Sequence, residues 1–142
     1  MLSFFARVGR EDLLGKRILA VDEKFYVTDH GMRRAIVGGG AMRDIDQILE
    51  NIVYFELVRR GFRVLVGRVQ EKEIDFVAEQ GGERAYYQVT YLMPTEETRA
   101  REFGAFRRIA DNYPKFVISM DPVDMSTDGI RHLSICDFLL QE

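Results

Sequence analysis

The sequence is poor in the residues that staple or anchor a fold. Cysteine occurs once, as Cys136, in 142 residues, so an internal disulfide is impossible and a reducing compartment is the expected setting. Histidine occurs only at His30 and His132, and no Cys/His set has structural-zinc spacing. His30 reads as a turn residue, His132 as a packing residue, and Cys136 as a small hydrophobe. Met1 to Val8 holds an apolar stretch without a basic front, and Gly9 to Gly15 is too polar to extend it. A signal peptide and a membrane span are therefore not expected, and the expected protein is soluble and cytoplasmic. Neither sign of charge dominates, with 20 Lys and Arg against 23 Asp and Glu for a net charge of -3. Global attraction to nucleic acid is excluded, although a local basic face is not.

What is present suits a packed globular unit. The chain is 46% hydrophobic and 30% charged, which supports one substantial core. The expectation is a single domain over residues 1–142. Within it, 1–40 form a lead-in with early strands, 41–120 the main helix-sheet-helix core, and 121–142 a C-terminal extension.

Local patterning fills in the elements. Arg17 to Val21 and Lys24 to Thr28 read as two short extended segments separated by charge, with a turn at Asp29-His30-Gly31. Gly38-Gly39-Gly40 reads as a loop; it lacks the following Gly-Lys-Ser or Gly-Lys-Thr of a phosphate-binding loop. From Arg43 to Arg60 the apolar residues Ile45, Ile48, Leu49, Ile52, Val53 and Phe55 recur at helical spacing, and Gly61 supplies a stop. Strands are expected at Phe62 to Gly67, Glu73 to Glu79 and Arg84 to Leu92, with Gln80-Gly81-Gly82 as a hairpin loop. Pro94 ends the third strand and Thr95 caps a helix whose inward stripe holds Phe103, Phe106, Ile109 and Ala110. Phe116 to Ile118 and Ile130 to Ile135 read as later strands on either side of a loop at Asp121 to Gly129, and a short helix holds Phe138, Leu139 and Leu140. The fold class is α/β.

Chemistry concentrates on Glu50, in the long helix, and Asp75, in a strand, followed by Gln88 and Thr90 on a neighbouring strand. Strand parity sets Asp75 away from Ile74 and Phe76 and puts Gln88 and Thr90 on one face, so that the four groups can converge. Two converging carboxylates suit Mg²⁺, a hard cation that prefers oxygen and orients water toward phosphate.

Five segments in order, Phe25-Tyr26-Val27-Thr28-Asp29-His30-Gly31-Met32-Arg33, Glu50-Asn51-Ile52-Val53-Tyr54-Phe55-Glu56-Leu57, Glu73-Ile74-Asp75-Phe76-Val77, Gln88-Val89-Thr90 and Tyr113-Pro114-Lys115-Phe116, carry a resemblance over nearly the whole chain. The sequence resembles the C-terminal domain of bacterial and archaeal ATPases known as domain of unknown function 4143 (DUF4143). That resemblance implies a restriction-endonuclease-like, PD-(D/E)XK fold, a mixed central sheet flanked by helices. It also implies a nuclease site at Glu50, Asp75, Gln88 and Thr90, with Mg²⁺ on Glu50 and Asp75 and a carbonyl oxygen from Gln88. Thr90 stands where the nuclease pattern has lysine, and a neutral hydroxyl neither polarises water nor balances phosphate charge as an ammonium does. Lys72 has the wrong parity to replace it without a bend.

The expected function is accordingly a noncatalytic accessory or partner-binding domain of a larger ATPase, with a protein partner or a covalently linked ATPase domain. Mg²⁺-dependent hydrolysis of DNA or RNA and a structural or oligomerisation role are the alternatives. The basic residues Arg33-Arg34, Arg59-Arg60, Arg63, Arg68, Lys72 and Arg107-Arg108 are the candidates for nucleic-acid contact.

Overall fold

The computed structural model describes residues 5–15, 17–27 and 41–141. The turn expected at Asp29-His30-Gly31, the loop at Gly38-Gly39-Gly40 and the Arg33-Arg34 pair lie outside them.

The chain opens with a hairpin of β1 (Phe5–Asp12) and β2 (Arg17–Val27), followed by helix α1 (Ala41–Arg59). A meander of β3 (Arg63–Val69), β4 (Lys72–Gln80) and β5 (Glu83–Val89) comes next. Helix α2 (Glu96–Gly104), strands β6 (Lys115–Ser119) and β7 (Arg131–Ser134), and helix α3 (Ile135–Leu140) complete the order. All seven strands join one mixed sheet in the order β2-β1-β3-β4-β5-β6-β7. The β1/β2, β3/β4 and β4/β5 pairs are antiparallel, whereas β1/β3, β5/β6 and β6/β7 are parallel. The α/β class and the mixed sheet flanked by helices are what the sequence led us to expect.

Each face of the sheet buries one apolar cluster. On one, Leu49, Val53, Tyr54 and Leu57 of α1 meet Val66, Phe76, Ala78, Tyr87 and Val89. Leu49, Val53 and Leu57 recur every four residues, so they form one stripe, the pattern of a helix lying on a sheet. The helix ends as Gly61 adopts φ 89°, with Gly61 N–H on the Val58 carbonyl and Phe62 N–H on the Leu57 carbonyl, the paired bonds of a Schellman stop. On the other face, Phe103 and Phe106 cover Leu65, Val69, Ile74, Val77 and Tyr86.

Several boundaries differ from expectation for identifiable reasons. Residues 5–12, expected to be irregular, form a full strand whose charged end is held by ion pairs of Arg10 to Glu73 and Glu11 to Arg84. The two extended segments expected at Arg17 to Val21 and Lys24 to Thr28 are, up to Val27, one strand, in which the pairing jumps from Val8↔Lys24 to Arg10↔Leu19 and residues 20–23 stand against Gly9 alone; Thr28 lies outside the described residues. Helix α2 stops at Gly104; i→i+3 bonds such as Phe106 N–H to Phe103 O and Ile109 N–H to Phe106 O tighten the chain beyond it. Ala110 is therefore exposed instead of inward-facing. Strand β5 ends at Val89, although Thr90 N–H still reaches the Ile118 carbonyl and Met120 N–H the Tyr91 carbonyl.

Candidate functional site

The site begins with an irregularity in β4. Leu65 pairs with Val77, yet Gly67 pairs with Ile74, so Val66 alone stands against both Asp75 and Phe76. A bulge of this kind sets two successive side chains toward one side of the sheet. Phe76 packs under α1 while Ile74 belongs to the opposite cluster. The expected alternation, with Ile74, Phe76 and Ala78 sharing a face, is thus broken at this point.

Asp75 is 7% exposed. One carboxylate oxygen accepts the Val89 backbone N–H at 2.8 Å, and its own N–H donates to Gln88 Oε1 at 3.3 Å. Burial, and after it the negative charge of Glu50, pushes its pKa well above the ordinary carboxylate range against the opposing pull of Lys24 and the Val89 N–H. Glu50, on the sheet-facing side of α1, is also shifted upward by burial, opposed by Lys24.

The cation of this cluster is Lys24, from β2. Its Nζ lies 2.9 Å from Glu50 Oε2 and 2.8 Å from Glu73 Oε1, and Arg10 holds the other Glu73 oxygen at 3.0 Å. Burial alone would lower the lysine pKa, but Tyr26, Glu50, Asp75 and the bond to Glu73 together raise it, so the ammonium stays charged.

Gln88 turns its amide toward α2, where Nε2 donates to Glu102 Oε2 at 3.3 Å. It therefore bridges the Asp75 backbone to a carboxylate on the opposite side of the sheet. Thr90 is 7% exposed and follows the last paired residue of β5. Glu50 and Asp75 come together, Gln88 touches Asp75 through the backbone only, and Lys72 is exposed at the start of β4.

Mg²⁺ requires near-octahedral oxygen ligation, commonly one or two carboxylates plus water. Here an ammonium already holds the Glu50 oxygen, and one Asp75 oxygen serves a strand N–H. Among the described residues no three His, Cys, Asp or Glu side chains are arranged to hold a metal ion. The donor set as folded does not fit a divalent cation.

Sequence reasoning passed over Lys24, Glu73 and Tyr26. A signal was available, because Lys24 and Tyr26 are two residues apart in an extended segment and so share a face. It also passed over a network at Ser119, Asp121 and His132, buried at 0%, 9% and 5% exposure. Ser119 Oγ donates to Asp121 Oδ2 at 2.8 Å and lies 2.8 Å from His132 Nε2. His132 Nδ1 accepts the Met125 N–H, so Nε2 carries the ring proton and donates to Ser119. In this arrangement the serine proton goes to the Asp121 carboxylate and not to the imidazole, unlike a serine–histidine nucleophile pair.

Among the described residues, four of the basic candidates are engaged by local partners. Arg59 and Arg60 both bind Glu56, whose pKa is pushed down to about 2, chiefly by the Arg59 bond. Arg60 also reaches the Phe138 carbonyl. Arg63 pairs with Glu79 and Arg68 with the Gln70 carbonyl. Among the described residues no helix is long and apolar enough to cross a membrane.

A Haemophilus influenzae protein described as uncharacterized is 37% identical to this chain over 138 residues, or 96% of it. The chain spans about a third, 34%, of that relative's length. No protein-family model matches the chain, and no solved structure matches it.

Proposed function

We propose that the chain is a nuclease-like accessory domain of a longer, cytoplasmic ATPase, with a partner-binding and noncatalytic role. The observation that carries this reading is the seating of Lys24 Nζ on Glu50 and Glu73 at 2.9 and 2.8 Å. Of the two carboxylates that would hold a metal, Glu50 is paired with Lys24 and Asp75 is engaged by the Val89 N–H, and the lysine of the resembled motif is replaced by buried Thr90. A mixed sheet flanked by helices is also what the resemblance implies, and it supports the reading at that level. The longer relative is consistent with a domain attached to other parts.

The pairing of Arg59, Arg60 and Arg63 with carboxylates argues against a phosphate-tracking surface built on them, since an arginine committed to a carboxylate has less to gain from a phosphate. The test is an incubation of the chain with Mg²⁺ or Mn²⁺ and single-stranded DNA, duplex DNA and RNA, beside a binding titration at two salt concentrations. The expected result is no cleavage and no salt-sensitive binding. Metal-dependent cleavage that disappears in Asp75→Ala would overturn the reading in favour of hydrolysis.

A further inference from the structure

The loop between β6 and β7 is pinned to His132 at two points. The His132 backbone N–H donates to Ser126 Oγ at 2.8 Å, and its ring Nδ1 accepts the Met125 N–H at 3.2 Å. At the start of the loop, Asp121 Oδ2 accepts the Met93 N–H and the Ser119 hydroxyl, each at 2.8 Å. Beyond Ser126, Thr127 and Ile130 close a turn with a backbone bond in each direction. Residues 122–125 are thus a short strap between two fixed ends, and a single proton on the imidazole removes the bond to Nδ1 while leaving the others in place.

The strap covers an apolar floor. Met125 packs against the cluster that holds Phe103 and Phe106, and it lines a cavity of about 1000 Å³ between α2 and this loop. Pro122, Val123 and Asp124 are exposed, which leaves Met125 as the strap's hold on that floor.

Protonation reverses the role of the ring here. Nε2 already carries a proton toward Ser119, so an added proton goes to Nδ1, which then donates where it had accepted. The Val123 carbonyl is within reach of the new N–H, whereas the Met125 N–H is left facing a donor. We propose that residues 122–125 form a proton-operated strap, closed on the cavity floor while the His132 ring is neutral and released when Nδ1 is protonated. Burial disfavours the charged ring and prevails over Asp121 and Asp124 of the loop, the Val123 carbonyl and Asp137 of α3, so release falls on the acid side of 6.5. Arg131, the preceding residue of β7, lies over Phe116 on the other face of the sheet. On the α2 side the cavity is lined by the charged Glu96, Arg99 and Arg107. This conformational response does not depend on the accessory reading above.

The test is oxidation of the unsubstituted chain by dilute hydrogen peroxide over a series descending from about pH 7.5, with methionine sulfoxide read peptide by peptide. Met120, 43% exposed, reports the reagent, and Met93, 1% exposed, reports global unfolding. Oxidation of Met125 should rise severalfold relative to Met120 while Met93 stays protected, and the rise should vanish in His132→Gln, whose amide does not titrate. The imidazole resonances give a second readout, since the chain has two histidines and His30→Gln assigns them. The His132 midpoint should coincide with that of Met125. The proposal is overturned by a Met125 that opens only together with Met93, that reacts alike at every pH, or whose step persists in His132→Gln. An imidazole midpoint apart from the Met125 midpoint also overturns it, and that comparison decides the matter where His132→Gln does not fold.

Discussion

Asp75 accepts the backbone N–H of Val89 at 2.8 Å, which makes a buried acid the hydrogen-bond terminus of a strand. The two ends of that bond predict opposite results for two substitutions. Asp75→Ala leaves the Val89 N–H without its acceptor and should cost about 1–3 kcal/mol, whereas Asp75→Asn keeps an acceptor and removes the charge. The acid's folded pKa lies above its ordinary value of 3.8. Stability from this group is therefore complete below that value and is lost as pH rises through the folded pKa. Urea unfolding across an acid-to-neutral series should show Asp75→Asn with a weaker decline than the unsubstituted chain over that range, and at least equal stability at neutral pH.

His132 should produce the reverse dependence. Burial lowers its pKa below the ordinary 6.5, against the pull of Asp121 and Asp124. The unfolded chain thus binds the proton more readily, and the stability this residue contributes is present above 6.5 and lost as pH falls through the folded value. Protonation also removes the acceptor for the Met125 N–H. Denaturant midpoints measured on either side of 6.5 should fall toward acid, and His132→Gln should flatten that fall.

Restoring the lysine of the resembled motif should not restore chemistry. Thr90 is 7% exposed, so Thr90→Lys forces a longer, charged side chain into packed surroundings at a cost of about 1–3 kcal/mol or more. No Mg²⁺-dependent cleavage is expected, because Lys24 still holds Glu50 and Glu73. Cleavage by this variant in the same DNA and RNA assay would make Thr90 the sole missing part.

The elements with local signals were legible in the sequence. The α1 stripe, the Gly61 stop, the Gly81-Gly82 hairpin and the Thr95 cap, whose Oγ1 accepts the Thr98 N–H, depend on residues a few positions apart. Strand β1 was not legible, since Arg10, Glu11 and Asp12 look like loop until Glu73 and Arg84 arrive from distant sequence. The convergence of Glu50 with Asp75 was legible through helix position and strand order. Its cation was not, because the register that brings Lys24 to them is set by long-range pairing of β1 with both β2 and β3. Parity failed at Asp75 itself, where one extra residue interrupts the alternation that parity assumes.

That extra residue has a consequence for how the chain can change. Val66 faces two residues of β4, so Asp75 is supernumerary to the ladder, and every other strand pair is counted without it. Excising Asp75 would leave Leu65 against Val77 and Gly67 against Ile74 and turn an interrupted ladder into a continuous one. The acid is an insertion in the β3/β4 ladder, but its carboxylate still serves the Val89 N–H. Deleting it would thus trade one defect for another, closing the β3/β4 ladder while leaving the Val89 N–H at the end of β5 without its acceptor.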